Sequence, residues 1–297
     1  MEEGKINKAL KLLENSNKGG ILPLTDETFQ VLSEKHPKAS KAPKEILLDG
    51  NIQDIHPVVY DDINSEMVRE AIKKTHGSAG PSGLDADGWR RILLSANFGT
   101  SGEDLRKAIA DMTKRLCRDK TAKPHEAFLA CRLLPLNKEP GVRPIGIGEI
   151  LRRVIGKVVM KLLKKDVLKA TGSLQLCGGQ NAGSEAAIHS VYEVFNKEET
   201  EGVLMVDASN AFNSINREAF LHNSKVICPS LATYINNCYS LPTDLYVQGG
   251  KLIKSEEVTS EGDPSAMAFY ALVRTPFLAF LNLMSNELTP SEVQIMF

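Results

Sequence analysis

The sequence predicts an α+β protein in which helices outnumber short strands, and three observations support that class. Residues 102–117 (GEDLRKAIADMTKRLC) repeat their apolar side chains at helical spacing. Two turn sequences, NKEPG at 137–141 and the pair Gly249-Gly250, each separate short extended segments and therefore predict hairpins. The apolar run GVLMV at 202–206 has the length and composition of a buried strand.

Apolar spacing and turn residues set the predicted order of elements. Residues 1–60 lack a strong period, and we expect a short helix within 6–20 and a Lys/Pro/Ser-rich linker at 33–45. The remaining helices are predicted at 64–75, directly after the Gly/Pro loop at 77–85, at 102–117, 149–172, 184–195, 210–223 and 263–282. Gly172 ends the helix predicted at 149–172, and Pro264 suits the first turn of the helix predicted at 263–282. Residues 293–297 are strand-like.

Charge is unevenly distributed although the net charge is only -1. Residues 123–169 carry 11 Lys/Arg against four Asp/Glu, whereas 171–297 carry six against 14. A basic middle could face phosphates and an acidic end could face metal ions, but ordinary surface variation is the simpler interpretation.

The helix predicted at 149–172 has an apolar side and a basic side. Its cations lie largely opposite the apolar residues: Arg152, Arg153, Lys157, Lys161, Lys164, Lys165 and Lys169. Solvation is the usual role of such a face, and contact with nucleic acid is the alternative.

Cysteine usage and the N-terminal sequence bear on the cellular compartment. The five cysteines form no CxxC pair, so we expect free buried thiols in a reducing environment. The first ten residues are charged, and the most apolar run, FLAFLNLM at 277–284, is too short to cross a bilayer. We therefore expect an intracellular protein, in the nucleus or cytoplasm, without a membrane partner.

Asp207 is the first candidate site residue, because it ends the apolar run in the stretch VDASNAFNSI at 206–215. An ionised carboxylate at the end of a buried strand needs a partner. A helix N-terminus is one possibility, with Asp207 or Asn210 as the cap, and a divalent cation is the other. The stretch by itself favours the cap.

Five segments in order resemble motifs of the reverse transcriptases of non-LTR retrotransposons, over roughly residues 77–297. They are GSAGPSGLD at 77–85, LPLNKEPGVRPIGIGEILRRVIGKVV at 134–159, QLCGGQNAGSEAAIH at 175–189, VDASNAFNSI at 206–215 and SEGDPSAMAFYAL at 260–272. The resemblance implies helical fingers and an incomplete palm sheet without a thumb. It divides the chain into an N-terminal extension (1–60), a fingers-like region (61–200) and a partial palm (201–297).

The same resemblance implies an RNA-directed DNA polymerase that uses an RNA template, a DNA primer, dNTP and Mg²⁺ or Mn²⁺. Asp207 would be the catalytic metal ligand beside the carbonyl of Ala208, and Phe212 would exclude a ribose 2′-hydroxyl. The remaining substrate-binding residues implied are Lys138 and Arg143 for the triphosphate, Gly262, which with Pro264 would shape a tight turn beneath the base pair, and Glu261, which would lie near the triphosphate.

Three departures from the family pattern change these expectations. Asn213 and Glu261 stand where relatives carry Asp and Gln, and the extra carboxylate of Glu261 should weaken nucleotide binding. The Asp-Asp motif that supplies another metal ligand does not appear, since no Asp follows Asp263. We therefore expect a truncated, inactive polymerase fragment. A nucleic-acid-binding remnant and a protein-interaction remnant of a retroelement are the alternatives.

Overall fold

The computed structural model describes residues 20–121, 126–138, 141–172, 182–198, 210–257, 263 and 265–272. These residues form α-helices and a four-stranded mixed sheet, which confirms the α+β class. The helices are α1 (Asp26–Glu34), α2 (Ser65–Lys73), α3 (Ala86–Leu94), α4 (Gly99–Arg118), α5 (Glu126–Leu129), α6 (Ile150–Leu162), α7 (Lys164–Thr171), α8 (Gly183–Phe195), α9 (Ala211–Ser214), α10 (Arg217–Ile227) and α11 (Pro229–Tyr239). The strands are β1 (Cys131–Asn137), β2 (Val142–Gly148), β3 (Thr243–Val247) and β4 (Leu252–Ser255), and residues 266–272 are helical.

The sheet joins two hairpins in the order β2-β1-β3-β4. Strands β1 and β2 pair antiparallel, as do β3 and β4, so both hairpins predicted from turn residues are confirmed. The hairpins meet through a parallel pairing of β1 with β3, in which Cys131 lies opposite Leu245. Local patterns did not predict this pairing. It means that 61–200 and 201–297 contribute strands to one sheet.

Helices predicted from apolar spacing are confirmed at α2, α3, α4 and α8. Two predicted helices are each divided. The one at 149–172 breaks at Leu163 into α6 and α7, and Asp166 in the first turn of α7 stabilises the new N-terminus. The one at 210–223 breaks before Asn216, whose side chain caps α10 by accepting from the Ala219 N–H.

Two buried clusters hold the elements together. The larger one lies between helices and includes the fully buried side chains of Ile72, Ile155 and Leu231. Within it Phe220, Tyr239 and Phe269 pack with ring centroids 5.4 to 5.8 Å apart. The smaller cluster lies between the sheet and α1, a helix that the sequence did not predict.

The stretch predicted as a linker at 33–45 is irregular after α1, but it is attached to the helix α10. Glu218 of α10 accepts a hydrogen bond from the Ala42 N–H at 2.8 Å, and Asn216 donates to the Ser40 carbonyl at 2.7 Å. Farther along, Asn223 accepts from the Leu48 N–H at 2.9 Å. Polar side chains of α10 thus attach a segment that its composition predicts to be a linker.

Several predictions fall on residues outside the described ranges. They concern the short helix within 6–20, the strand at 202–206, the later part of the helix at 263–282 and the strand at 293–297. Four cysteines, Cys117, Cys131, Cys228 and Cys238, are buried free thiols as expected. Within the described ranges no helix has the length and apolar character needed to cross a membrane.

Asn237 of α11 provides a test of the packing. Its buried amide donates to the carbonyls of Leu116 and Asp119 and accepts from the N–H and hydroxyl of Thr121. Asn237→Ala should lower the free energy of unfolding by about 2–4 kcal/mol, because it leaves buried backbone groups without partners. Urea denaturation measures this. The matched control is Asn236→Ala on the same helix, and an equal loss in both variants would contradict the prediction.

Candidate functional site

The structure describes three of the residues that the resemblance implicates. Lys138, Arg143 and Phe212 lie within the described ranges, whereas Asp207, Ala208, Glu261 and Gly262 lie outside them. Within the described ranges, the candidate site consists of the β1–β2 hairpin, α9 and the helical residues 266–272.

Lys138 and Arg143 lie together at the tip of the β1–β2 hairpin. The Lys138 N–H donates to the Gly141 carbonyl at 3.1 Å, and Gly141 has a φ of 111°, which favours glycine. Arg143 lies opposite Leu136 in the pairing and is exposed, whereas its neighbours Val142 and Pro144 are buried. The sheet alternation thus places the guanidinium in solvent, where an anion can reach it.

Phe212 of α9 connects two of the motif segments. Its half-buried ring packs against Tyr270, with centroids 5.2 Å apart and planes inclined at 46°. The stretches 206–215 and 260–272 therefore meet in space, although more than 40 residues separate them in the chain.

Asn213 beside this ring has a structural role that explains one departure. It is buried, and its amide donates to the Asn210 side chain at 2.9 Å. Asn210 has a φ of 52° and itself donates to the Lys35 carbonyl at 2.8 Å. An ionised Asp at 213 has no proton to donate, so the amide suits this turn.

Asp263 occupies the centre of a buried ion pair that sequence reasoning did not identify. Its side chain is 5% exposed and lies 3.0 Å from a guanidinium nitrogen of Arg152, itself 4% exposed. The Tyr239 hydroxyl donates to the same carboxylate at 2.7 Å, and the Ser265 N–H donates to its other oxygen at 2.8 Å. The guanidinium also lies over the Tyr239 ring, 5.3 Å from its centroid.

The protonation states of this cluster follow from burial and from charge. Burial alone would lower the pKa of Arg152, but the acidic groups of Tyr239 and Asp263 outweigh it and hold that pKa well above its ordinary value. Burial raises the pKa of Tyr239 well above its ordinary value, and the Asp263 carboxylate raises it further. Tyr239 therefore remains a neutral hydrogen-bond donor and Arg152 remains a cation.

The structure corrects the prediction that the cations of 149–172 share one free face. Arg152 points into the core, as described above. Arg153 donates to the carbonyls of His76 and Ser78, and Lys157 donates to the Lys74 carbonyl at 2.6 Å. Burial is the main cause that lowers the pKa of both Arg153 and Lys157. Only the later cations of the segment are fully exposed: Lys161, Lys164, Lys165 and Lys169.

The Gly/Pro loop at 77–85 packs on the start of α6. The Glu149 carboxylate accepts from the Ser82 N–H and from the Ser82 hydroxyl, each at 2.7 Å. A Cβ at Gly80 would lie 2.8 Å from the backbone nitrogen of Glu149, so only glycine permits this approach. The loop and the helix after the hairpin therefore form one packed unit.

The described residues do not themselves supply a metal centre. Within them no group of three or more His, Cys, Asp or Glu side chains is arranged to hold an ion. Asp263, the carboxylate of the Gly-Asp-Pro segment, is already paired with Arg152 and Tyr239. The metal hypothesis consequently rests on Asp207 and Ala208.

Comparison with known proteins adds no relative. No protein-family model matches the chain, and no curated protein is significantly similar to it. The resemblance to reverse transcriptases thus depends on the five motif segments and their order.

Substitution of the exposed Arg143 and of the buried Arg152 should affect the free energy of unfolding differently. Arg143→Gln should change the free energy of unfolding by less than about 0.5 kcal/mol, because its side chain is exposed. Arg152→Gln should cost about 3–5 kcal/mol, because it leaves the buried Asp263 carboxylate without its cation. Urea denaturation of both variants tests this, and similar losses would contradict the assignment of Arg143 to ligand binding.

Proposed function

We propose that the chain is a reverse-transcriptase-like domain, with fingers and part of a palm, derived from a non-LTR retroelement. In the parent family the activity is RNA-templated DNA synthesis. The observation that carries the proposal is the ring contact between Phe212 and Tyr270, since it joins two separate motif segments. The exposed cations Lys138 and Arg143, together at one hairpin tip, add to it.

Each residue has a chemical task in this proposal. Lys138 and Arg143 neutralise the triphosphate of the incoming dNTP, for which Arg offers a bidentate donor pair. Phe212 lies under the sugar and excludes a 2′-hydroxyl, while Gly262 leaves room for the base pair. Asp207 and the carbonyl of Ala208 are the groups that would hold Mg²⁺ or Mn²⁺, which supplies charge stabilisation for phosphoryl transfer when bound.

The chain by itself is proposed to be inactive. Two-metal phosphoryl transfer needs more than one carboxylate, and the residues after Asp263 contain no Asp. Asp263 cannot substitute for a missing ligand, because one of its oxygens contacts Arg152 and Tyr239 and the other accepts from the Ser265 N–H. Glu261 places a further negative charge where the family usually has an amide, which opposes triphosphate binding.

Specific observations favour the two non-catalytic alternatives. The exposed lysines Lys161, Lys164, Lys165 and Lys169 suit a nucleic-acid-binding remnant, which would bind RNA in a salt-dependent way. A protein-interaction remnant is favoured by α8, where Ile188, Tyr192 and Phe195 are 67%, 68% and 56% exposed. Their spacing of four and three residues puts them on one helix face.

Nucleotide binding tests the proposal directly. In Mg²⁺ the 297-residue chain should bind a fluorescent dNTP, and the double variant Lys138→Gln/Arg143→Gln should bind it about 10-fold or more weakly, because triphosphate contacts are lost. Titration by fluorescence anisotropy measures the change. The matched control is Lys164→Gln/Lys165→Gln, which removes two exposed cations from α7. Equal affinities of the wild-type chain and the hairpin variant would contradict the assignment.

Primer extension and RNA binding separate the remaining possibilities. We expect no dNTP incorporation on a primed RNA template in Mg²⁺ or Mn²⁺, because one metal-binding carboxylate is insufficient. Robust incorporation would overturn the inactive state. RNA binding without dNTP binding would replace the proposal with the nucleic-acid-binding remnant, and binding to neither at low salt would favour the protein-interaction remnant.

A further inference from the structure

We propose that Arg152 and Asp263 are positioning residues that fix the start of the helical residues 266–272 relative to the base of the β1–β2 hairpin. Their pairing would keep two parts of the nucleotide site in a fixed relative position. One part is the hairpin tip with Lys138 and Arg143, and the other is the contact between Phe212 and Tyr270. The inference rests on the proposed function, and it adds two residues that the motif comparison left without a role.

Arg152 touches three parts of the chain that are distant in sequence. One guanidinium nitrogen donates to the Leu129 carbonyl at 3.1 Å, and the other lies 3.0 Å from the Asp263 carboxylate. The guanidinium carbon lies 5.3 Å from the centroid of the Tyr239 ring. Because one buried guanidinium contacts all three segments, a shift of any one of them changes at least one of these contacts.

Arg152 and its partner Leu129 both lie at the base of the hairpin. Leu129 lies two residues before β1 begins at Cys131, and Arg152 lies in the first turn of α6, which follows the end of β2 at Gly148. The tip of the same hairpin carries Lys138 and Arg143. A strand of seven residues rises by roughly 3.3 Å per residue, so a small rotation at the base displaces the tip noticeably.

Asp263 connects Arg152 to the helical residues 266–272, which form the other part of the site. One carboxylate oxygen accepts from the Ser265 N–H at 2.8 Å, and the Asp263 carbonyl accepts from the Ala266 N–H at 3.0 Å. Asp263 thereby caps the helical residues 266–272, which carry Tyr270 against Phe212.

Stability alone does not account for this pair. Burying two charges costs desolvation free energy, and the attraction between the charges roughly offsets that cost. Replacing both by neutral side chains of similar size therefore often preserves folding. Direction comes from the hydrogen bonds around the pair, because Arg152 donates to the Leu129 carbonyl while the Asp263 carboxylate accepts from the Tyr239 hydroxyl and the Ser265 N–H. A substitution that removes both charges can therefore separate a positioning role from a purely structural one.

The test compares the full chain with the variant Arg152→Met/Asp263→Asn. Neither substitution leaves a buried charge, and the amide oxygen of the introduced asparagine can still accept from the Ser265 N–H. We expect a urea unfolding midpoint close to that of the wild type, but a fluorescent dNTP affinity at least about 10-fold weaker, since displacements of about 1 Å can cost about 100-fold. Hydrogen exchange at the amides of 261–266 should become faster.

Two further variants sharpen the comparison. Arg152→Lys keeps the charge but not the paired donors, and its dNTP affinity should lie between those of the wild type and the double variant. Arg118→Met/Asp61→Asn removes a second, more exposed ion pair on α4 and should leave both dNTP affinity and exchange at 261–266 unchanged. This control shows whether loss of any ion pair has the same effect.

The outcomes distinguish failure of this inference from failure of the proposed function. Wild-type affinity and wild-type exchange in Arg152→Met/Asp263→Asn would overturn the positioning role. If that variant unfolds, Arg152→Lys decides, and unchanged affinity and exchange in Arg152→Lys would overturn it equally. If the wild-type chain binds no dNTP, the proposed function fails, whereas faster exchange at 261–266 would still support the mechanical coupling.

Discussion

The ion pair between Arg152 and Asp263 joins parts of the described architecture that are distant in sequence. It lies where α6, α11 and the segment before 266–272 converge, and both side chains are almost completely buried. Removing one partner alone would leave an uncompensated charge in the core, which proteins tolerate poorly. The cluster of Phe220, Tyr239 and Phe269 excludes water around it and makes the local dielectric low, so each polar contact there has a larger effect.

The cations of the basic middle segment therefore serve different purposes. Arg152 organises the core, while Arg153 and Lys157 satisfy carbonyls around the Gly/Pro loop. Lys138 and Arg143 remain exposed at the hairpin tip. A sequence window with a net positive charge suggests a phosphate-binding surface. In this fold, however, Arg152, Arg153 and Lys157 form hydrogen bonds within the protein. Among the described cations of this window, those that remain exposed lie at the hairpin tip and from Lys161 onward.

Sequence patterns predicted what depends on local chemistry and missed what depends on distant contacts. Gly249-Gly250 and NKEPG predicted both hairpins, because turn residues and alternation act over a few positions. The parallel pairing of β1 with β3 joins residues more than 100 positions apart, so no local signal predicts it. Arg152 and Arg153 are adjacent and chemically identical, and only the packing around α6 shows which of them is buried. Pro229 at the first position of α11 was a usable helix signal that the prediction did not exploit.

The segment between Glu257 and Asp263 is constrained at both ends by buried carboxylates. Glu257 accepts from the Arg217 N–H at 2.6 Å and from the Ser40 N–H at 2.8 Å, so the attached N-terminal stretch helps to hold it. Arg152 holds the opposite end through Asp263. Each carboxylate therefore links its position to a part of the chain that is distant in sequence: Glu257 to the N-terminal stretch and Asp263 to α6. The N-terminal stretch, which has no motif of its own, thus contributes to the packing around α10 and Glu257.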